Sequence, residues 1–435
     1  MTEKLALFGG PRTMEKSPGP YQPYGKEEVQ AAMKVVESGV LSEFYGSWDR
    51  KFYGGANVQE FEKSWAIDFG VKHAVSVNSA TSGLIAAVGA IGIEPGDEVI
   101  VSPWTMSASA TAILVWNAIP VFADIETDSF NLDPKSVEAC ITPETKGIVI
   151  SDIFGRAGNL DAVMEIARGH GLKVVEDAAQ SPGARYKGRH VGTIADIGVF
   201  SLNYHKHIHT GEGGMCTTDD SELCEKLQLI RNHAEAVVAD KGATDLTNMI
   251  GFNFRMGEVE AAIGVEQLKK LEELVGDKRR LAARLSKGLS GLTGLRTPDV
   301  RCADCPNSSD CGNCSHVYYV YAIVIEPHVL QIPRAKIVAA LEAEGVPGLM
   351  AGYLNLHEFP LFRKKMAYGR KGFPWVGGPY SGNVSYEHGI CPVAEDLHQS
   401  SMIGLQLCLF DYSDADIDSI VEAFRKVWRN IDHLR

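Results

Sequence analysis

The chain has 435 residues, of which 45% are hydrophobic and 22% are charged, and its formal net charge is −13. This length favours two domains over one. The excess of acidic residues argues against a nucleic-acid partner, which would need clustered Lys and Arg. No uninterrupted apolar stretch approaches the length of a membrane span, so no membrane partner is expected either.

The compartment is indicated by the start of the chain and by its cysteines. The first ten residues lack the long apolar core of a secretion signal. Nine cysteines, an odd number and mostly scattered, are typical of a reducing environment rather than of a disulfide framework. A cytoplasmic location is therefore expected.

Between residues 71 and 218 the chain alternates β-branched runs with segments that carry apolar residues at helical spacing. This alternation predicts an α/β domain with a mostly parallel sheet covered by helices on both faces. Ligands of such sheets bind beyond the carboxyl ends of the strands. Seven strands are predicted, at His73–Val77, Asp97–Ser102, Pro120–Ile125, Gly147–Ser151, Lys173–Asp177, Asp196–Leu202 and Gly214–Thr217.

A long helix is predicted at Glu258–Leu274 from its apolar stripe. The domain boundary is placed just after it, near Val275-Gly276, which gives a large domain of residues 1–275 and a small one of residues 276–435. A strand at Tyr318–Ile325 and helices at Ile337–Glu344 and Asp414–Ile431 make the small C-terminal domain α+β.

Lys206 and Asp177 suggest a cofactor. Lys206 lies in a loop of small residues, and Asp177 ends an apolar run about thirty residues earlier. A lysine amine can form a Schiff base with pyridoxal phosphate, and a carboxylate can keep the pyridine nitrogen protonated. Taken alone, such a lysine is usually a solvated surface residue, and Asp177 could instead be a helix N-cap or a member of a structural salt bridge.

Further residues at predicted strand ends could contact the same cofactor. The segment 78–84 opens a helix, whose positive end could hold a phosphate, although an ordinary N-cap explains it equally well. Trp104 could stack on a planar ring or belong to the core. Ser201 and Asn203 are placed to contact the phosphate, and the glycines at 211, 213 and 214 would let the loop come close to a ligand.

Five ordered motifs together resemble the DegT/DnrJ/EryC1/StrS family of sugar aminotransferases, which are fold-type I pyridoxal phosphate enzymes. The likeness runs over nearly the whole chain and implies a seven-stranded, mostly parallel sheet. The motifs are Asn78–Leu84, Pro103-Trp104-Thr105, Glu176-Asp177-Ala178-Ala179-Gln180, Phe200-Ser201 with Lys206 and Thr210-Gly211-Glu212-Gly213-Gly214, and Gly251–Met256.

The resemblance implies a role for each matching position. Lys206 would form the Schiff base with pyridoxal 5'-phosphate and relay protons, and Asp177 would hold the pyridine nitrogen. Gln180 would face the ring hydroxyl, and Trp104 would stack on the ring. The remaining implied contacts are to the phosphate, from Ala80, Thr81, Ser201 and, across a homodimer with shared active sites, Asn253.

The implied reaction moves an amino group from L-glutamate or L-glutamine to a keto sugar, expected to be nucleotide-linked, or to a keto cyclitol. Such steps serve amino-sugar, polysaccharide or natural-product biosynthesis. The alternatives are a pyridoxal phosphate-dependent sugar dehydratase, an aminobenzoate-forming enzyme on the same fold, or a non-catalytic regulator. Some members of the family that this chain resembles carry histidine where Lys206 stands and dehydrate a keto sugar, so the lysine favours amination here.

Two groups of potential metal ligands remain. Histidines 205, 207 and 209 alternate around Lys206, but the lysine and glycines already account for that loop, so no metal is predicted there. The insertion with Cys302, Cys305, Cys311 and Cys314 departs from the family pattern. It could close a tetrahedral thiolate site, form a reduced surface insertion or be a redox-labile loop, and any metal there would be structural.

Several later residues could meet the substrate, although structural roles are at least as well supported for each. They are Ser315-His316, Tyr318-Tyr319, Tyr353, His357 and His388.

Overall fold

The computed structural model describes residues 3–298 and 313–435. The larger part is built on a sheet of seven strands in the order β1-β9-β8-β5-β4-β2-β3, with an added two-stranded hairpin, β6–β7. The strands are β1 His73–Val77, β2 Glu98–Val101, β3 Ile119–Phe122, β4 Thr145–Ser151, β5 Lys173–Asp177, β6 Arg185–Tyr186, β7 Arg189–His190, β8 Ile197–Ser201 and β9 Gly214–Thr218.

The seven-stranded sheet is parallel except at β9, which runs antiparallel to both β1 and β8. Alternate residues of each strand enter different hydrophobic clusters, because successive side chains point to opposite faces of a sheet. On β5, Val175 lies in one cluster and Val174 in the other. Both faces are therefore covered, and the predicted mostly parallel α/β architecture is confirmed.

Helices connect these strands and cover the sheet. The first helical turns carry the expected caps: Ser79 accepts from the Ser82 amide, and Asp220 accepts from the Glu222 and Leu223 amides. The helices of this part are α1 Lys26–Ser38, α2 Ala56–Phe69, α3 Ala80–Ala90, α4 Ser107–Val115, α5 Pro134–Ala139, α6 Leu160–His170, α7 Ser221–Arg231 and α8 Glu258–Leu289.

Helix α8 continues fifteen residues beyond its predicted end at Leu274. Its first half packs into the large core through Leu271 and Val275, and its second half packs into the small core through Leu281 and Leu285. The apolar stripe simply passes from one core to the next, so no break in the pattern marks the end of the first. The domain boundary near Val275-Gly276 lies inside this helix and stays a prediction.

The C-terminal part has a four-stranded antiparallel sheet in the order β10-β11-β13-β12, packed against α8, α10 and α13. The predicted strand from Tyr318 begins only at Tyr321, because Tyr318 has a φ of 53° and turns the chain. The elements are β10 Leu295–Arg296, β11 Tyr321–Ile325, α9 Pro327–Leu330, α10 Arg334–Ala343, β12 Leu349–Ala351, α11 Pro360–Arg363, α12 Pro392–Asp396, β13 Met402–Leu405 and α13 Asp414–Arg429.

Among the described residues, no helix combines the length and the apolar character that crossing a membrane requires.

Candidate active site

A cavity of about 330 Å³ opens at the carboxyl ends of the sheet strands, where ligands of parallel sheets bind. Residues from the ends of β4, β5 and β8 and from the start of α3 meet there. Seven of the residues predicted to contact a cofactor line this cavity: Ala80, Thr81, Asp177, Gln180, Ser201, Asn203 and Lys206.

Lys206 is held in the loop after β8, where its backbone amide donates to the Asn203 carbonyl oxygen at 2.9 Å. Only 7% of the residue is exposed. Its Nζ lies 4.1 Å from the centroid of the Tyr319 ring, a position that favours the ammonium form. Burial nevertheless lowers the pKa of Lys206 to about 8, against the attraction of Asp177. The nucleophilic free amine is therefore much more abundant near neutral pH than it is for an ordinary lysine.

Asp177 ends β5, lines the cavity and is fixed by hydrogen bonds. Ser109 Oγ donates to Asp177 Oδ2 at 2.6 Å, and the Ala179 amide donates to Oδ1 at 3.2 Å. Thr105 Oγ1 lies 2.7 Å from Ser109 Oγ and extends the chain. Burial raises the pKa of Asp177, and the Ser109 hydrogen bond opposes that rise. A buried carboxylate in this position is suited to a cationic partner.

Another part of the cavity lining is suited to an anion. Ala80 and Thr81 are the first residues of α3, whose initial N–H groups have no partner inside the helix and carry its positive partial charge. Ser201 joins them from the end of β8. A Cβ on Gly214 would lie 2.7 Å from the Ser79 carbonyl carbon, so only glycine lets β9 approach this helix end so closely.

Gln180 also lines the cavity. Its Oε1 accepts from the Phe154 amide at 2.7 Å, which fixes the side chain and leaves its amide nitrogen free to donate elsewhere. The amide nitrogen faces Tyr353, which also lines the cavity and whose pKa burial raises to about 12. Tyr353 was among the later residues considered for substrate contact, and the structure brings it to the site.

The histidines around Lys206 serve different purposes. His207 is fully buried and bonds through Nε2 to the Val317 carbonyl oxygen at 2.8 Å. The Tyr24 hydroxyl lies 2.6 Å from His209 Nδ1 and donates to the His209 carbonyl oxygen at 2.9 Å. These two histidines therefore anchor the loop from outside the cavity.

His205 is the histidine that lines the cavity. Burial lowers its pKa to about 4, so it is neutral at physiological pH.

Trp104 does not reach this cavity. Its side chain is fully buried, its Nε1 donates to Asn355 Oδ1 at 2.9 Å, and its ring stacks on Phe130. The stacking role predicted for Trp104 does not fit this position, because the indole is directed into the core. Met106, two residues later, lines the cavity and is 58% exposed. Sequence reasoning missed Met106, because no local pattern distinguishes it from Trp104.

Asn253 does not line the cavity of its own chain either. It is exposed, and its Oδ1 accepts from Arg255 Nε at 2.7 Å. Its carbonyl oxygen accepts from Asn78 Nδ2 at 3.3 Å, which places it outside the cavity but beside the segment that leads into α3.

The remaining residues considered for substrate contact separate into two groups. Tyr319 lines the cavity, whereas His316 is buried and accepts the Tyr318 amide at its Nδ1. His357 is fully buried and lies 2.8 Å from Glu395. His388 is exposed and pairs with Glu358 and Glu395, so these histidines tie loops of the C-terminal part together away from the cavity.

Three cysteines of the insertion, Cys302, Cys305 and Cys311, lie outside the described residues. The fourth, Cys314, accepts from the Lys187 amide at 3.3 Å and is not in the cavity.

The sequence model of the DegT/DnrJ/EryC1/StrS aminotransferase family matches residues 34–424. The chain belongs to this aminotransferase family. The resemblance inferred from the five motifs is confirmed, and so is the prediction that the protein is an aminotransferase.

Similar proteins of this family share most of their length with the chain. It is 34% identical over 414 residues to the spore coat polysaccharide biosynthesis protein SpsC of Bacillus subtilis (strain 168), covering 94% of this chain and 96% of that protein. It is 32% identical over 449 residues to the L-glutamine:2-deoxy-scyllo-inosose aminotransferase of Streptomyces fradiae, covering 99% of each. The crystal structure of DesI in the presence of its TDP-sugar product matches with a TM-score of 0.77 and 27% identity, over 99% of this chain and 97% of that one.

Proposed function

We propose that the protein is a pyridoxal 5'-phosphate-dependent aminotransferase that moves the amino group of L-glutamate or L-glutamine to a keto sugar or a keto cyclitol. The observation that carries the proposal is the arrangement of Lys206 and Asp177 in one cavity with the positive end of α3. An amine, a buried carboxylate and an anion site are the three groups that this cofactor requires.

The residues of the cavity fit the cofactor. Lys206 would hold it covalently and Asp177 would hold the proton on its pyridine nitrogen. Ser201 and the first amides of α3 would hold its phosphate. Gln180 would face the ring hydroxyl. Met106 supplies exposed apolar surface, and a methionine thioether makes favourable contacts with aromatic rings.

When bound, pyridoxal 5'-phosphate supplies a ring that accepts the electron pair released as a C–H bond beside the amine breaks. Lys206 Nζ, with its pKa lowered to about 8 by burial, would carry the proton between carbon atoms, because it can both accept and release a proton near neutral pH. The Thr105–Ser109 pair would keep the Asp177 carboxylate oriented. The amino donor would leave as a 2-oxo acid.

The similar proteins support the substrate class. The protein from Streptomyces fradiae is named for a keto cyclitol and for L-glutamine, and DesI was crystallised with a TDP-sugar product. SpsC is named for polysaccharide biosynthesis. We propose the same range for this chain: a polyhydroxylated six-membered ketone, either free or nucleotide-linked.

We further propose a homodimer with shared active sites. One face of α1 leaves large apolar side chains in solvent: Val29, Met33 and Val36 are 57%, 53% and 60% exposed. Contiguous exposed apolar surface of this kind is typical of an interface. Asn253, exposed and outside its own cavity, would reach the phosphate of the partner's site.

Borohydride reduction of the protein loaded with pyridoxal 5'-phosphate, followed by peptide mass mapping, tests the proposal. The reduced adduct is expected at Lys206, and Lys206→Ala should lose both the adduct and amino transfer. The matched control is Lys278→Arg, because Lys278 is the other buried lysine near this loop, with 3% exposure and its Nζ over the Tyr21 ring. An adduct at Lys278 in the wild-type protein would refute the assignment of Lys206.

A further inference from the structure

Asp152, directly after β4, is a buried acid in the lining of the cavity. It is 1% exposed and lines the cavity together with Ser151. Its backbone is fixed, since its amide donates to the Asp177 carbonyl oxygen at 3.0 Å and its own carbonyl oxygen accepts from Ser181 Oγ at 2.6 Å. Among the described residues, neither oxygen of its carboxyl group accepts from an N–H or hydroxyl donor.

The two neighbouring acids on β5 are well provided with donors. Glu176 accepts from the backbone amides of Gly192, Ile194 and Ala195 at 2.6, 3.0 and 3.2 Å. Asp177 accepts from the Ser109 hydroxyl and from a backbone amide. Of the three acids, Asp152 is therefore the one with nothing to stabilise a negative charge.

The groups that face Asp152 favour its protonated form more strongly than the groups around Glu176 and Asp177 favour theirs. Burial raises the pKa of Asp152 well above its ordinary value, and the charges of Glu176 and Asp177 raise it further. The carboxyl groups of Asp152 and Glu176 are close enough to interact, and a hydrogen bond between them would raise the pKa of Asp152 and lower that of Glu176. Two carboxyl groups can bond in this way only when one of them holds a proton. The amides on Glu176 favour its charged form, so the proton belongs on Asp152.

We propose that Asp152 is a positioning residue of the aminotransferase site. It is a neutral carboxylic acid that donates a hydrogen bond to Glu176. Of the two aspartates that line the cavity, Asp152 and Asp177, only Asp177 is then charged. A third negative charge at this point would raise the cost of keeping Asp177 ionised. The function assigned to Asp177 rests on the proposed cofactor chemistry, whereas the protonation of Asp152 does not.

Thermal unfolding of the cofactor-free protein as a function of pH tests the protonation. Asp152→Asn keeps a neutral donor to Glu176, so its melting temperature should exceed that of the wild type at pH 8. The advantage, on the order of 2 °C or more, should shrink towards pH 5. The sign follows because an acid whose pKa is raised by folding costs stability as the pH rises above its unfolded value of about 3.9. Asp240→Asn, at an exposed aspartate, should show no such trend.

The proposal would be overturned if the difference in melting temperature between Asp152→Asn and the wild type did not change with pH. It would also be overturned if the wild type gained stability relative to the variant as the pH rises to 8. If Asp152→Asn does not fold, Asp152→Ala gives the same comparison, since the stability lost by the wild type on raising the pH should be absent from it too. In the loaded protein, the pH at which the absorbance of bound pyridoxal 5'-phosphate changes should be the same in Asp152→Asn as in the wild type. A marked shift would mean that Asp152 carries a charge there.

The two proposals fail separately. Absence of a covalent adduct at Lys206 would overturn the cofactor chemistry and leave the pH dependence of the cofactor-free protein intact. A pH-independent stability difference would overturn the role of Asp152 and leave the Lys206 adduct intact.

Discussion

The Nζ of Lys206 lies 4.1 Å from the centroid of the Tyr319 ring. Lys206 belongs to the loop after β8 of the seven-stranded sheet, whereas Tyr319 belongs to the segment that leads into β11 of the C-terminal sheet. The reactive amine is therefore covered by a ring from the other part of the fold. The ring favours the ammonium form and burial favours the free amine, so the balance of the two can be measured.

The rate of covalent capture of pyridoxal 5'-phosphate by the cofactor-free protein should rise with pH around a midpoint near 8, because burial lowers the pKa of Lys206 to about 8 and only the free amine attacks the aldehyde. Stopped-flow absorbance across this range measures the midpoint. Tyr319→Phe keeps the ring and should keep the midpoint. Tyr319→Leu should move it to lower pH, since it removes the stabilisation of the ammonium form. A midpoint near the ordinary lysine value of about 10.4 would contradict the prediction.

Ser109→Ala should lower the turnover number by about tenfold, since a hydrogen bond to a charged group contributes about 1.5–3 kcal/mol. Ser109 donates to Asp177 at 2.6 Å, and its loss would raise the pKa of Asp177 further and free the carboxylate to rotate. Asp177→Asn should cost far more in turnover than in cofactor occupancy. Ser107→Ala, in the same first turn of α4, is the matched control and should leave turnover unchanged. Equal effects of the two serine variants would argue against the role of Ser109.

Much of this site could be predicted from sequence because its residues follow β-branched runs. β1 and β5 begin and end where predicted, and parallel strands bring their ends to one edge of the sheet. Lys206, Asp177 and Gln180 lie in one cavity for that reason. Local sequence patterns were sufficient to predict the position of a residue wherever that position depends only on its own strand.

The rest depends on contacts between distant parts of the chain. The sequence around Trp104 does not reveal that its indole bonds to Asn355, 251 residues later. Because the indole is held there, Met106 rather than Trp104 lines the cavity. Nor does it reveal that Asp152 meets Glu176, because both are ordinary strand-end acids until the sheet pairs β4 with β5. Such partners are set by packing, which no periodicity encodes.

Asn253→Ala should weaken cofactor binding in the site of the partner subunit rather than in its own. Subunits that carry Lys206→Ala, mixed with subunits that carry Asn253→Ala, should regain activity in one hybrid site, because that site has both residues intact. Subunit exchange is verified by native mass spectrometry. Arg255→Ala is a control for the local structure, since Arg255 donates to the Asn253 side chain. Verified exchange without recovered activity would show that Asn253 does not serve the neighbouring site.

The N-terminal segment holds the lysine loop through Tyr21 and Tyr24. The Tyr21 hydroxyl donates to the His207 carbonyl oxygen at 2.8 Å, and the Tyr24 hydroxyl bonds to His209 through both Nδ1 and the carbonyl oxygen. Burial lowers the pKa of His209 to about 4. A histidine kept neutral by folding contributes stability above its unfolded pKa of about 6.5 that is lost as the pH falls towards 4.

Tyr24→Phe should therefore lower the free energy of unfolding by about 1 kcal/mol at pH 7, since it removes a hydroxyl that bonds to His209 but keeps the ring packed edge-on against the imidazole. Because these bonds fix the loop that carries Lys206, the variant should also release pyridoxal 5'-phosphate faster. Urea unfolding and cofactor dissociation measure the two effects. Tyr45→Phe is the matched control, because Tyr45 is similarly exposed, at 47% against 41% for Tyr24, and lies away from this loop. If Tyr45→Phe lowers stability and cofactor retention as much as Tyr24→Phe, the N-terminal segment does not hold the lysine loop in the way the hydrogen bonds imply.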